Sequence, residues 1–178
     1  GTIPSTVEAR TFLADPSLDK RTRLIDQLLA HPRHAQHLAN VLDVMLMERR
    51  PDKYVPAAEW QKYLYDSVLA NKPFDVLTRE ILTSDGVDPA TRPAAKFVLE
   101  REAEPNLLAR DVGRIFFGQD LQCAQCHDHP LVNDYLQPDY YGLFAFFSRT
   151  QIFTLPDPDK RTVLMDNATG DVSYQSVF

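Results

Sequence analysis

No run in this sequence approaches the roughly 18 consecutive apolar residues that a membrane-spanning helix needs. Lysine and arginine form neither a stripe nor a juxtamembrane cluster; the formal net charge is −6, with acidic and basic residues mixed throughout. That excludes the basic footprint by which nucleic acid or an anionic lipid surface is held. Cysteine is nearly absent: Cys123 and Cys126 are the only two, so no disulfide framework staples the domain. There is no internal repeat and no low-complexity tract. No signal peptide is visible from Gly1 onward, and that absence leaves the compartment open.

What is present suits one soluble globular domain. The chain has 178 residues, 44% hydrophobic and 25% charged, enough for one sizeable core and too short for two ordinary domains. Ser5-Thr6-Val7-Glu8 has capping-box spacing and opens a short helix ending near Asp15-Pro16. Leu24, Ile25, Leu28 and Leu29 make one face of a second, from Asp19 to before Pro32. Leu38, Val41, Leu42 and Met45 mark a third, reaching the Glu48-Arg49-Arg50-Pro51 break. Pro56 suits the start of a fourth with Trp60, Tyr63, Leu64 and Leu69; Phe74 to Thr83 is a fifth, and Ala95 to Arg101 a short sixth. Pro105 starts a helix running to Gly118, and Pro138 starts one rich in aromatics. Beyond Pro156 and Pro158, Thr162 to Met165 and Val172 to Phe178 flank Asp166-Asn167-Ala168-Thr169-Gly170, which reads as a β-hairpin. The expected fold is mainly α: one helical domain over 1–150 and a β appendage over 151–178. Its last strand predicts a chain continuing past Phe178.

Cys123-Ala124-Gln125-Cys126-His127 fits the C-x-x-C-H pattern of c-type haem attachment. Two thiols three residues apart on a turn reach the two vinyl groups along one edge of a porphyrin. The next residue offers its imidazole to the iron. The residues leave alternatives open. A redox dithiol expects a thioredoxin-like βαβ context, which is missing. Zinc could take Cys123, Cys126, His127 and His129, but no second C-x-x-C supplies the usual distant ligand pair. A local bridge between the two cysteines is the plainest reading.

The surroundings favour haem. Phe116 and Phe117 precede the motif, and Tyr140, Phe144 and Phe147 share a face of the helix after it, offering apolar walls for a porphyrin or simply core. Arg110 and Arg114, one turn apart, suit the forked pairing of guanidinium with haem propionate, or else form a solvated face beside Asp111.

The segment Arg110-Asp111-Val112-Gly113-Arg114-Ile115-Phe116-Phe117-Gly118, with Leu121-Gln122-Cys123-Ala124-Gln125-Cys126-His127-Asp128-His129-Pro130 after it, closely resembles the planctomycete cytochrome C domain family. Asp139 to Phe147 matches a second family block, Asn71 to Asp75 a third and Leu24 to Pro32 a weaker fourth; Gly170 to Phe178 looks like a further segment cut short. Members occur in large secreted planctomycete proteins whose role is largely unassigned. The resemblance implies one covalent haem c at Cys123, Cys126 and His127 and an extracytoplasmic home, so an export signal is expected upstream of Gly1. Many members carry Trp-Leu-Asp where this chain has Val41-Leu42-Asp43, so a distal iron ligand does not transfer.

Met45, Met47, His31, His34, His37, water or an open position are the candidates for that distal side. Met45 lies on the apolar stripe and is expected in the core; Met47 lies off it, as ligand or exposed residue. His129, two residues beyond His127, cannot easily reach the opposite haem face and is expected either to brace the site from outside or to sit in a surface loop. The expected function is one-electron transfer outside the cytoplasm, with a redox protein and other domains of the longer chain as partners. A haem enzyme or sensor with an open iron position, or a non-haem zinc or dithiol module, are the other classes.

Overall fold

The computed structural model of the chain describes residues 3–168. Its helices begin and end where short-range chemistry dictates. Ser5 Oγ accepts the Glu8 N–H at 3.2 Å and Glu8 returns the bond to the Ser5 N–H at 2.7 Å, a capping box opening α1 (Thr6–Ala14). His31 alone separates α2 (Lys20–Ala30) from α3 (Pro32–Met47); its Nδ1 accepts the Arg33 N–H at 3.1 Å and caps α3. Pro56 and Pro73 stand just before α4 (Ala57–Leu69) and α5 (Phe74–Thr83). A 3-10 turn at Arg92–Ala95 leads into α6 (Lys96–Leu99). Pro105 opens α7 (Pro105–Phe116), and Pro138 lies in the first turn of α8 (Gln137–Phe147).

The main core lies between α3, α4, α5, α6 and α7, around the fully buried Leu46, Trp60, Leu64, Phe97 and Leu108. A second, smaller core lies between α7 and α8 and holds Ala109, Leu121, Ala124 and Tyr140. By contrast, α1 and α2 bury none of their residues, so Leu24, Ile25, Leu28 and Leu29 form an apolar face that is exposed.

One expectation needs correction, and another lies partly outside the described residues. The hairpin pairs β1 (Thr150–Thr154) with β2 (Thr162–Asp166), antiparallel, with Ile152 opposite Leu164. Its first strand thus precedes Pro156, and Val172 to Phe178 lies outside the described residues. The β-branched Thr150, Ile152 and Thr154 carried the period-2 signal, which was masked by the helix ending only three residues earlier. The methionines exchange roles: Met47 is 2% exposed and in the core, whereas Met45 is 39% exposed. The buried stripe of α3 runs through Ala35, Ala39, Leu42, Leu46 and Met47, because small alanines let α4 approach closely. Asp111 is fully buried, while Arg110 and Arg114 beside it keep 36% and 41% of their side-chain surface exposed.

One buried cation ties the hairpin to the helices. Arg92 donates to the carbonyls of Gly86 (3.0 Å), Thr162 (2.8 Å) and Tyr54 (2.9 Å). Arg92→Met should cost roughly 2–3 kcal/mol, since three carbonyls lose a charged donor. Urea unfolding measures the loss, and the Thr162–Asp166 amides should exchange faster with solvent. Unchanged stability would show that the Leu164 N–H bond to the Asp85 carbonyl and the apolar contacts suffice to hold the hairpin.

Candidate functional site

The motif is carried back over α7 by its glycines. Gly118, at φ +67°, turns the chain after the helix, and the Gln119 N–H bonds to the Gly113 carbonyl at 2.9 Å. A Cβ on residue 113 would stand 3.1 Å from the Gln119 oxygen, so this approach needs glycine or a shift of backbone. Leu121 then enters the small core, and Cys123–Gln125 forms a 3-10 turn with Ala124 fully buried beneath it.

That turn sorts the motif's side chains. With three residues per turn, positions i and i+3 eclipse. Ala124 is buried, while Cys123 and Cys126 on either side of it are both free and exposed. The Cys126 and His127 N–H groups bond to the Cys123 carbonyl at 3.2 and 3.3 Å, closing the turn. Two tethers fix it from below: the Tyr141 hydroxyl donates to the Gln125 carbonyl at 3.0 Å, and Asn106 Oδ1 accepts from Gln125 Nε2 (3.2 Å) and from the Tyr140 hydroxyl (3.0 Å). Burial pushes the Tyr140 phenol up to about 12, so it remains a neutral donor.

The two histidines differ in tautomer. His127 Nδ1 lies 2.7 Å from the Asp128 carbonyl. A carbonyl only accepts, so Nδ1 is the donor in this contact. Metal-ligating histidines use this same arrangement, the second ring nitrogen donating to a backbone carbonyl. His129 is the reverse: its Nδ1 accepts the N–H groups of Leu131 (3.1 Å) and Val132 (3.0 Å), which puts the proton on Nε2. Its own N–H bonds to the Tyr135 carbonyl at 2.8 Å, and the rings meet edge to face. His129 thus braces the loop leading to α8. Asp128 helps, accepting the Gln137 N–H at 2.8 Å.

The other expected residues separate into near and remote groups. Tyr140 and Phe144 belong to the small core beside the turn, while Phe117 is 63% exposed just ahead of it. Phe116 faces the main core, against Phe97. Arg110 and Arg114 bind Asp111 and Glu48. His31 and His34 line a groove of about 600 Å³ with Leu38, Leu42 and Phe74; no residue of the motif lines it. Asn106, Gln125 and Tyr141 were missed, because polar residues carry no periodic signal. Only the fold brings Asn106 beneath the turn.

The residues fit a covalent porphyrin by their donor chemistry: two exposed thiols three residues apart, a histidine directly after them whose Nδ1 donates to a backbone carbonyl, and aromatic side chains in the adjacent core. Zinc fits less well. Among the described residues no group of three or more His, Cys, Asp or Glu is gathered that could hold a metal ion, and His129 Nδ1 is already engaged.

The family PSCyt2, described as a protein of unknown function (DUF1549), matches residues 1–152 of the chain. No curated protein and no solved structure matches it.

Proposed function

The chain belongs to the PSCyt2 family, and within it we propose a c-type haem-binding domain that transfers single electrons outside the cytoplasm. The observation that carries this reading is two exposed thiols three residues apart at the 3-10 turn, followed directly by a His127 whose Nδ1 donates to the Asp128 carbonyl. The Cys123 and Cys126 thiols would each add across one vinyl double bond, sulfur joining one carbon and the proton the other. His127 would supply an axial nitrogen. The haem, when bound, supplies reversible one-electron exchange at iron. Phe117 and the partly buried Phe144, backed by the core residue Tyr140, would give the apolar wall that limits water, and Asn106 with Tyr141 would hold the turn against movement. Haem c is attached outside the cytoplasm, so this reading carries with it a periplasmic or secreted setting, with a redox protein and neighbouring domains as partners.

Expression with a cytochrome c maturation system tests this. The intact mass should exceed the polypeptide by one haem, acid acetone should leave the pigment in place, and the reduced pyridine haemochrome should have the c-type spectrum. A colourless product overturns the proposal. Carbon monoxide then separates carrier from open-iron enzyme or sensor: a carrier with both axial positions filled takes it up poorly.

A further inference from the structure

Asp111 is the centre of an unusual charge arrangement. Its Oδ2 accepts from Arg101 Nε at 2.8 Å and from Arg50 Nη2 at 3.1 Å. Its Oδ1 accepts from Arg110 Nε at 3.1 Å and faces Arg114 Nη2 at 3.6 Å. Glu48 pairs with Arg114 and stands 3.7 Å from Arg50. Four guanidiniums therefore surround two carboxylates, leaving two positive charges in excess.

The four arginines are not equivalent. Arg101 is wholly buried, and its remaining donors go to the Phe97 and Leu46 carbonyls at 2.9 Å each. Arg50, Arg110 and Arg114 are 24%, 36% and 41% exposed at the side chain. Each uses only one of its nitrogens on protein acceptors among the described residues. Arg50 Nε is buried with no acceptor. A guanidinium presents five donors in a planar fork matched to carboxylate, sulfate or phosphate oxygens. Like charges held this close in a partly desolvated place favour a counter-anion.

We infer that Arg50, Arg110 and Arg114 form a binding site for a doubly charged oxyanion, either one sulfate or phosphate group or two carboxylates of a single ligand. Arg101 and Asp111 are its positioning residues, orienting the three donors from below. The site stands without the haem; only assigning its occupant to the two haem propionates rests on the proposed function.

The test uses the full chain, first made without haem, with inorganic sulfate and phosphate as probes. Thermal unfolding is followed against each anion at constant ionic strength, chloride making up the balance. The expected result is a saturable rise in Tm. Arg110→Gln and Arg114→Gln should each weaken the apparent affinity about ten-fold or more, the loss of a charge-assisted bond. The general stabilising action of sulfate does not saturate and is shared by the variants. Both substituted side chains are a third or more exposed in the parent chain, and Arg114→Lys serves as a milder second change. In the haem-bearing chain, loss of the sulfate response identifies the propionates as occupant, and the two glutamine variants should then shift the midpoint potential. A sulfate response that persists there identifies a free oxyanion. If the haem-free chain responds to sulfate and phosphate no more than to chloride, or the variants respond as the parent does, the site is overturned. Failure of haem to attach overturns the haem reading alone.

Discussion

Asp111→Asn is expected to cost the fold about 3–5 kcal/mol, the usual penalty for breaking a buried ion pair by removing one partner. The side chain is 0% exposed, as is that of Arg101, whose guanidinium would be left beside a neutral amide. Arg50, Arg110 and Arg114 lose the same counter-charge. Urea unfolding should show a midpoint shift with an unchanged slope. A loss below about 1 kcal/mol, the size of an exposed pair, would show that the network is not what joins α3, α6 and α7.

The same residue sets part of the acid limit. Burial alone would raise its carboxyl, but hydrogen bonds and charge from Arg101 and Arg110 outweigh it, and the carboxyl ends below its ordinary value. Its stabilisation is therefore full above the unfolded value of about 4 and is lost as pH falls through the folded value. The Asp111 contribution should be flat from neutrality to about pH 5 and decline below about pH 4. Asp52, Glu80 and Glu102 are lowered too, so Asp111→Asn should make the acid decline in stability shallower without abolishing it.

His127→Ala, in protein carrying haem, should abolish the native axial-ligand spectrum even where both thioethers form. His129→Ala should keep that spectrum and lower stability by about 1–2 kcal/mol, since the Leu131 and Val132 N–H groups lose their acceptor. His129→Asn should recover part of the loss, because a side-chain oxygen two residues back can accept the same bonds. A haem-free readout is independent: nitrogen NMR should find His127 protonated at Nδ1 and His129 at Nε2. The opposite tautomers, or loss of the axial spectrum in His129→Ala, would show that the ligand role belongs to the other histidine.

The features legible in the residues alone were those whose determining contacts lie within about one helical turn. Capping by Ser5 and Glu8, the helix start at Pro105, and the bounds of Phe74–Thr83 depend on bonds between near neighbours. The spacing of Cys123, Cys126 and His127 is likewise local, which is why the candidate site could be found without its surroundings. Tertiary structure decided everything that depends on distant residues. The buried face of α3, with Met47 in and Met45 out, depends on which neighbour packs against it. The partners of Arg114 and Arg101 are Glu48 and the Leu46 carbonyl, 66 and 55 positions away. The hairpin is locked by Arg92, 70 residues before Thr162. Even the two histidine tautomers were hidden, because a proton's position follows from the acceptor or donor that the folded loop presents to each ring. Residue types and spacing determine which groups are available and how a single turn is built. Closing loops of 50 to 70 residues is a property of the whole core, and only that closure brings a charge to its partner.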